Sequence, residues 1–169
     1  IDPIDELSEL ALTHDIGLHV DGCLGGFILP WGEQLGYDIP QFDFRLPGVT
    51  TISADTHKYG FGLKGTSVLL YRDKSFRDHV YFMTPNWPGG KYNSPGIAGS
   101  RSGGLLAATW ASMVSLGRQG YLHYAKAIFE TAFAMQEVVR AHDELRMMGN
   151  PTCLSLIHIS EPTRPPEIS

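Results

Sequence analysis

Val49-Thr50-Thr51-Ile52-Ser53-Ala54-Asp55-Thr56-His57-Lys58-Tyr59-Gly60 is the stretch on which the fold turns. Its first half is a β-branched run that suits a pleated, half-buried strand. Its second half becomes polar and places an acid, a histidine and a lysine just past the strand's carboxyl end. Leu18-His19-Val20 followed by Asp21 repeats the form, a short buried strand ending in an acid. Two such strands lying parallel would bring Asp21 and Lys58 to one crevice, because ligands of open α/β sheets bind outside the carboxyl ends of the strands.

Working outward, Thr66-Ser67-Val68-Leu69-Leu70-Tyr71 reads as a third strand, and a Gly-rich, aromatic stretch fills 23–48. Upstream, Asp2-Pro3-Ile4-Asp5-Glu6 reads as a helix start, with Asp2 as cap and Pro3 in the first turn. Ile4, Leu7, Leu10 and Ala11 then fall on one face. Residues 105–116 and 121–142 have helical composition and are separated by Gly117 and Gly120, both helix terminators. The expected architecture is α/β, a mainly parallel sheet covered by helices.

The bulk properties fit an ordinary globular domain. The chain has 169 residues, 43% of them apolar, and a net charge of -5. A chain of this size can bury roughly 70% of its unfolded surface. No basic cluster points to nucleic acid. Cys23 and Cys153 form no CxxC pair or disulfide framework, which favours a reducing compartment. The charge-free run 102–117 is shorter than the ~18–20 apolar residues of a membrane span and reads as a buried helix. Seven histidines show no ligand spacing, so no metal is expected. There is no GxSxG elbow. Gly60-x-Gly62-x-x-Gly65 formally matches a dinucleotide fingerprint, but strand rather than helix follows it, so its glycines are expected to shape a loop.

A lysine placed after a strand can form an imine if its amine is partly desolvated and its pKa lowered. An ionised carboxylate in the same crevice could hold a pyridine nitrogen protonated, the arrangement pyridoxal 5'-phosphate (PLP) requires. Lys58 and Asp21 are the candidates for these roles. Lys58 could equally be a solvated surface charge, and Asp21 an N-cap on the helix after its strand.

Three further stretches complete a pattern with the opening one: Leu18-His19-Val20-Asp21-Gly22-Cys23-Leu24-Gly25-Gly26-Phe27, Phe42-Asp43-Phe44-Arg45, and Ser94-Pro95-Gly96-Ile97-Ala98-Gly99-Ser100-Arg101. Together they resemble the sphingosine-1-phosphate lyase family of the PLP-dependent group II decarboxylase superfamily, over 1–151. The resemblance implies part of a fold-type I large domain, normally homodimeric. It also implies cleavage of a phosphorylated long-chain base into phosphoethanolamine and a fatty aldehyde. Asp21 then matches the aspartate at the pyridine nitrogen, Lys58 the Schiff-base lysine, and His57 the histidine near the cofactor phosphate. Lys64 matches a lysine that helps bind the substrate phosphate. Ser100 and Arg101 match a loop reaching toward the partner subunit's active site, with Ser100 near the cofactor and Arg101 near the substrate.

Plainer roles stand beside these. His57 could bond a backbone carbonyl, Lys64 could be a solvated loop lysine, Ser100 could cap the following helix, and Arg101 could pair with a surface acid. Tyr59, Trp87 and Tyr92 read as packing residues first and substrate-channel residues second. An amino-acid decarboxylase and a catalytically silent homologue remain alternative readings.

The sequence departs from the family at Gly22, where an alanine methyl would pack on the cofactor ring, and at Gly96 and Ser102 in the inter-subunit loop. The resemblance also places an upstream phosphate-binding loop, a group stacking on the cofactor and a downstream small domain outside this stretch. Residues 1–153 are therefore expected to be a partial PLP-binding domain, and a true N-terminus to lie upstream. Eukaryotic members would add an endoplasmic-reticulum anchor with a cytosol-facing site. From about Leu154 the chain turns proline-rich and resembles translated sequencing-adaptor read-through, so 154–169 is expected to be a non-native, unstructured tail.

Overall fold

The computed structural model describes residues 2–147, 149–153 and 159–160. They form two compact units, one of 2–30 and 40–116, the other of 31–39 and the described residues from 117 onward.

The first unit opens with α1 (Ile4–Thr13), which leads to β1 (Leu18–Asp21) and a 3-10 turn at Gly25–Phe27. Pro3, not Asp2, occupies the cap position, and no side chain caps the helix. The fixed φ of proline starts the helix without a side-chain acceptor. Only part of the expected apolar face is buried. Ile4, Ser8 and Ala11 point inward, while Leu7 and Leu10 are exposed. Ser8 takes the inner position because its hydroxyl accepts from the Gly48 N–H at 2.9 Å. The α1 backbone lies so close that a Cβ on Gly48 would sit 2.3 Å from the Ser8 carbonyl oxygen.

α2 (Leu29–Gln34) begins in this unit and precedes β2 (Val49–Ala54), the central strand of a three-stranded sheet. β1 and β2 run parallel, with Val20 opposite Ile52 and Asp21 opposite Ser53. Val20, Val49, Ile52 and Ala54 are buried with Ile28, Leu29 and Phe42. The third strand, β3 (Val68–Tyr71), pairs with β2 antiparallel. The loop between them contains no helix, and a parallel return needs a crossover that is usually helical. The sheet therefore contains one parallel and one antiparallel pair.

α3 (Lys74–Asp78) follows, its Ser75 N–H capped by the Asp73 carboxylate at 2.8 Å. Next comes a hairpin of β4 (Phe82–Trp87) and β5 (Gly90–Ser94) that sequence periodicity did not reveal. Trp87 and Tyr92, expected to pack, are exposed and meet each other across this hairpin, with ring centroids 6.3 Å apart. The helical run α4 (Gly103–Arg140) begins in this unit. Its stretch up to 116 is not the buried helix expected, because Leu106, Trp110 and Val114 are exposed. Lack of charge does not by itself bury a helix.

Gly117 breaks α4 with φ 55° and ψ -176°. That φ is left-handed and favours glycine. Gly120, the other expected terminator, stays within the helix. The second unit is built on the α4 residues after this break. Tyr121, Ala125, Phe129, Ala132, Gln136 and Val139 form one buried stripe. Trp31 stacks on Tyr121 at 5.4 Å, and Tyr37 lies 4.8 Å from Phe129, centroid to centroid. In this unit β6 (Arg146–Met147) pairs antiparallel with β7 (Ile159–Ser160). The expectation of an unstructured tail otherwise falls outside the described residues.

Candidate active site

The carboxyl ends of β1 and β2 build the site. Asp21 and Ser53 sit opposite each other in the parallel register. The Ser53 hydroxyl donates to Asp21 Oδ1 at 3.0 Å, and the Cys23 N–H donates to the same oxygen at 3.1 Å. These bonds hold the Asp21 carboxyl below the usual carboxylate range, Ser53 contributing most and the Cys23 N–H next. Two residue pairs back, His19 Nδ1 lies 2.8 Å from the Thr51 hydroxyl. Asp21 does not cap a regular helix as its plainer role proposed. It bonds the turn that leads into Gly25–Phe27 and, across the sheet, β2.

Lys58 lies in the turn after β2, its N–H donating to the Asp55 carbonyl at 3.2 Å. Its amine is 2.8 Å from Asp55 Oδ2. The expected lowering of its pKa is not found. The Asp55 carboxylate first, and the Cys23 side chain second, push the amine upward, and its exposure leaves little desolvation to oppose them. Cys23 stands near both candidates, its N–H donating to Asp21 and its side chain among the groups that raise the Lys58 pKa.

His57 turns its Nδ1 to the Thr66 carbonyl at 2.7 Å. A carbonyl can only accept, so Nδ1 carries the proton and the plainer role of His57 is realised at that nitrogen. Its Nε2 lies 3.9 Å from Asp55 Oδ2. Lys64 is exposed and makes no ion pair with a described residue. Among the described residues Arg101 pairs with no acid. It donates to the carbonyls of Ala98 at 2.9 Å and Ser100 at 3.1 Å, and with Gly65, Ser67, Ser102 and Leu105 it lines a recess of about 100 Å³. Ser102, rather than Ser100, accepts from the first turn of α4, through the Leu105 N–H at 3.4 Å.

One feature escaped sequence reasoning. A ladder of buried hydroxyls runs from Thr56 to Thr66 at 2.5 Å and from Thr66 to Thr109 at 3.0 Å, tying the lysine loop to α4. The glycines between Lys58 and β3 let that loop wrap the Thr56 carbonyl, which accepts from the Gly62 N–H at 2.7 Å. A Cβ on Gly60 would lie 2.5 Å from that oxygen. They shape a loop, as expected, and bind no helix start. At Gly22 a Cβ would meet the Ser53 carbonyl oxygen at 2.8 Å. Glycine here serves the close approach of β1 to β2, so its missing methyl is directed at backbone and not into the crevice.

A hydrogen-bonded carboxylate and a lysine at the carboxyl ends of neighbouring parallel strands fit a pyridine cofactor with an aldehyde. The fit agrees with the comparisons. The chain belongs to the pyridoxal-dependent decarboxylase family, whose conserved domain matches residues 1–158.

Within that family it is similar to sphingosine-1-phosphate lyases, among other members. It is 51% identical to the enzyme of Dictyostelium discoideum over 168 residues, covering 95% of this chain and 32% of that protein. It is 52% identical to that of Arabidopsis thaliana over 151 residues, covering 89% of this chain and 28% of the relative. The solved structure of a Burkholderia pseudomallei sphingosine-1-phosphate lyase matches with a TM-score of 0.86 and 68% identity, over 89% of this chain and 35% of that one. The chain thus spans about a third of the length of the relatives it matches.

Proposed function

We propose that the protein, in its natural full-length form, is a PLP-dependent carbon–carbon lyase. Its substrate would be sphingosine or sphinganine 1-phosphate, and its products phosphoethanolamine and a long-chain aldehyde. The observation that supports this most is that Asp21 and Lys58 stand at the carboxyl ends of two paired parallel strands, with Asp21 held there by Ser53 and the Cys23 N–H. The lyase relatives supply the substrate class.

When bound, PLP draws off the electrons released as a bond at the substrate's Cα breaks. Asp21, its negative charge favoured by Ser53 and the Cys23 N–H, would hold a proton at the ring nitrogen. Lys58 would be the residue that holds the cofactor through its carbonyl. His57, its Nδ1 committed to Thr66, would keep Nε2 for the cofactor phosphate. Lys64 and Arg101 are the cations for the substrate phosphate, which such a substrate carries away from its reacting bond. Ser100 contributes to a cofactor site shared with a second copy in a homodimer. Among the described residues no helix is long and apolar enough to cross a membrane.

Borohydride reduction of the PLP-loaded protein, followed by peptide mapping, tests the cofactor assignment. Label on Lys58 is expected, and its absence would remove the reading. Product analysis tests the reaction. Fatty aldehyde from a phosphorylated long-chain base supports the lyase, whereas carbon dioxide from an amino acid would replace it with a decarboxylase.

A further inference from the structure

Asp55 has no role above, yet it holds the Lys58 amine at 2.8 Å. The acid is the more fixed partner, its side chain 17% exposed against 34% for Lys58. Its Oδ1 accepts the hydroxyl of Ser67, just before β3. Its backbone N–H donates to the Cys23 carbonyl at 3.3 Å. One carboxylate oxygen is thus occupied by Ser67, and the other is turned to the lysine.

A lysine that bonds a cofactor carbonyl spends part of its time unbonded, before the cofactor arrives and while the substrate amine has taken its place. Its four-carbon stem has many rotamers, and an untethered amine would wander among them. A carboxylate 2.8 Å from the amine limits that freedom.

We propose that Asp55 is the docking residue for Lys58, holding its amine in one place whenever that amine is not bonded to the cofactor. This rests on the reading of Lys58 as the cofactor lysine, and it makes Asp55 a positioning residue. The docked amine is kept charged, as the upward shift at Lys58 and the downward shift at Asp55 both require. Among the described residues the other titratable groups at this pair are Cys23, from the turn after β1, and His57, from the same loop.

The test uses the full-length protein without cofactor. Lys58 is labelled with trinitrobenzenesulfonate across a pH series and read by peptide mass spectrometry. Asp55→Asn is expected to move the midpoint of labelling to lower pH, and Ser67→Ala to move it the same way by less. Asp55→Glu should restore it. In the PLP-loaded protein Asp55→Asn should lower kcat about tenfold or more while leaving KM near its original value, because the lost contact positions the lysine and not the substrate. Coincident midpoints in wild type and Ser67→Ala, or in wild type and a folded Asp55→Asn, overturn the docking role even if Lys58 carries PLP. A wild-type protein that never carries PLP on Lys58 removes the parent reading instead, and the catalytic meaning of the pair with it.

Discussion

The Ser53 hydroxyl on β2 donates to Asp21 on β1 at 3.0 Å, across the one parallel pair of the three-stranded sheet. The bond therefore depends on strand register. A slip of one residue would turn Ser53 to the opposite face and leave the carboxylate with its local contacts alone.

Removing that bond should change how Asp21 titrates. Because its folded pKa is depressed, Asp21 contributes stability above about pH 4, and the contribution is lost as pH falls through the lowered value. In Ser53→Ala the carboxyl pKa should rise toward the ordinary range, and carbon-detected NMR titration of Asp21 would show it. PLP should bind about two- to tenfold more weakly, the worth of one net hydrogen bond. An unchanged titration would show that Cys23 alone sets the carboxylate.

Gly62→Ala should loosen the lysine loop. The new methyl would lie 2.9 Å from the Thr109 hydroxyl and 3.0 Å from the Thr56 carbonyl oxygen. Neither neighbour is the end of a long flexible side chain, so the loop must shift, at a cost of about 1–3 kcal/mol. Urea unfolding would measure the loss. Faster amide exchange at Gly62, whose N–H donates to Thr56, would place it in this loop.

Phe129→Ala should destabilise the unit built on the second half of α4 by about 3–5 kcal/mol. Phe129 is fully buried, and a Cβ on Gly32 would lie 2.5 Å from its ring. Thermal unfolding of the variant should show the drop. Gly32→Ala, which overfills the same place, should also lower Tm.

The candidate site was more legible than the packing around it. β1, β2 and the loop holding His57 and Lys58 could be read because β-branched runs ending in polar residues are local signals. The β4–β5 hairpin could not, since Pro85, Asn86 and Asn93 dilute any alternation in its strands. The stretch 102–117 misled for the opposite reason: apolar composition says that a helix has a face to cover, not that this chain covers it. Likewise Ser8 looked like a polar interruption of α1 until Gly48 was found beside it.

By itself, the sequence determined which residue types stand at the ends of β1 and β2 and that Gly60, Gly62 and Gly65 shape a loop. These follow from neighbours along the chain. Only the tertiary structure decided that Ser53 bonds Asp21 and that Ser67 holds the Asp55 carboxylate that meets the lysine amine. The reason is physical: the state of an ionisable group depends on charges and donors within a few ångströms, and Ser53 and Ser67 reach Asp21 and Asp55 from 32 and 12 residues away along the chain. Lys58 shows the difference. Its position could be read from the chain, but the raising of its pKa comes from Asp55 and Cys23 as the fold places them.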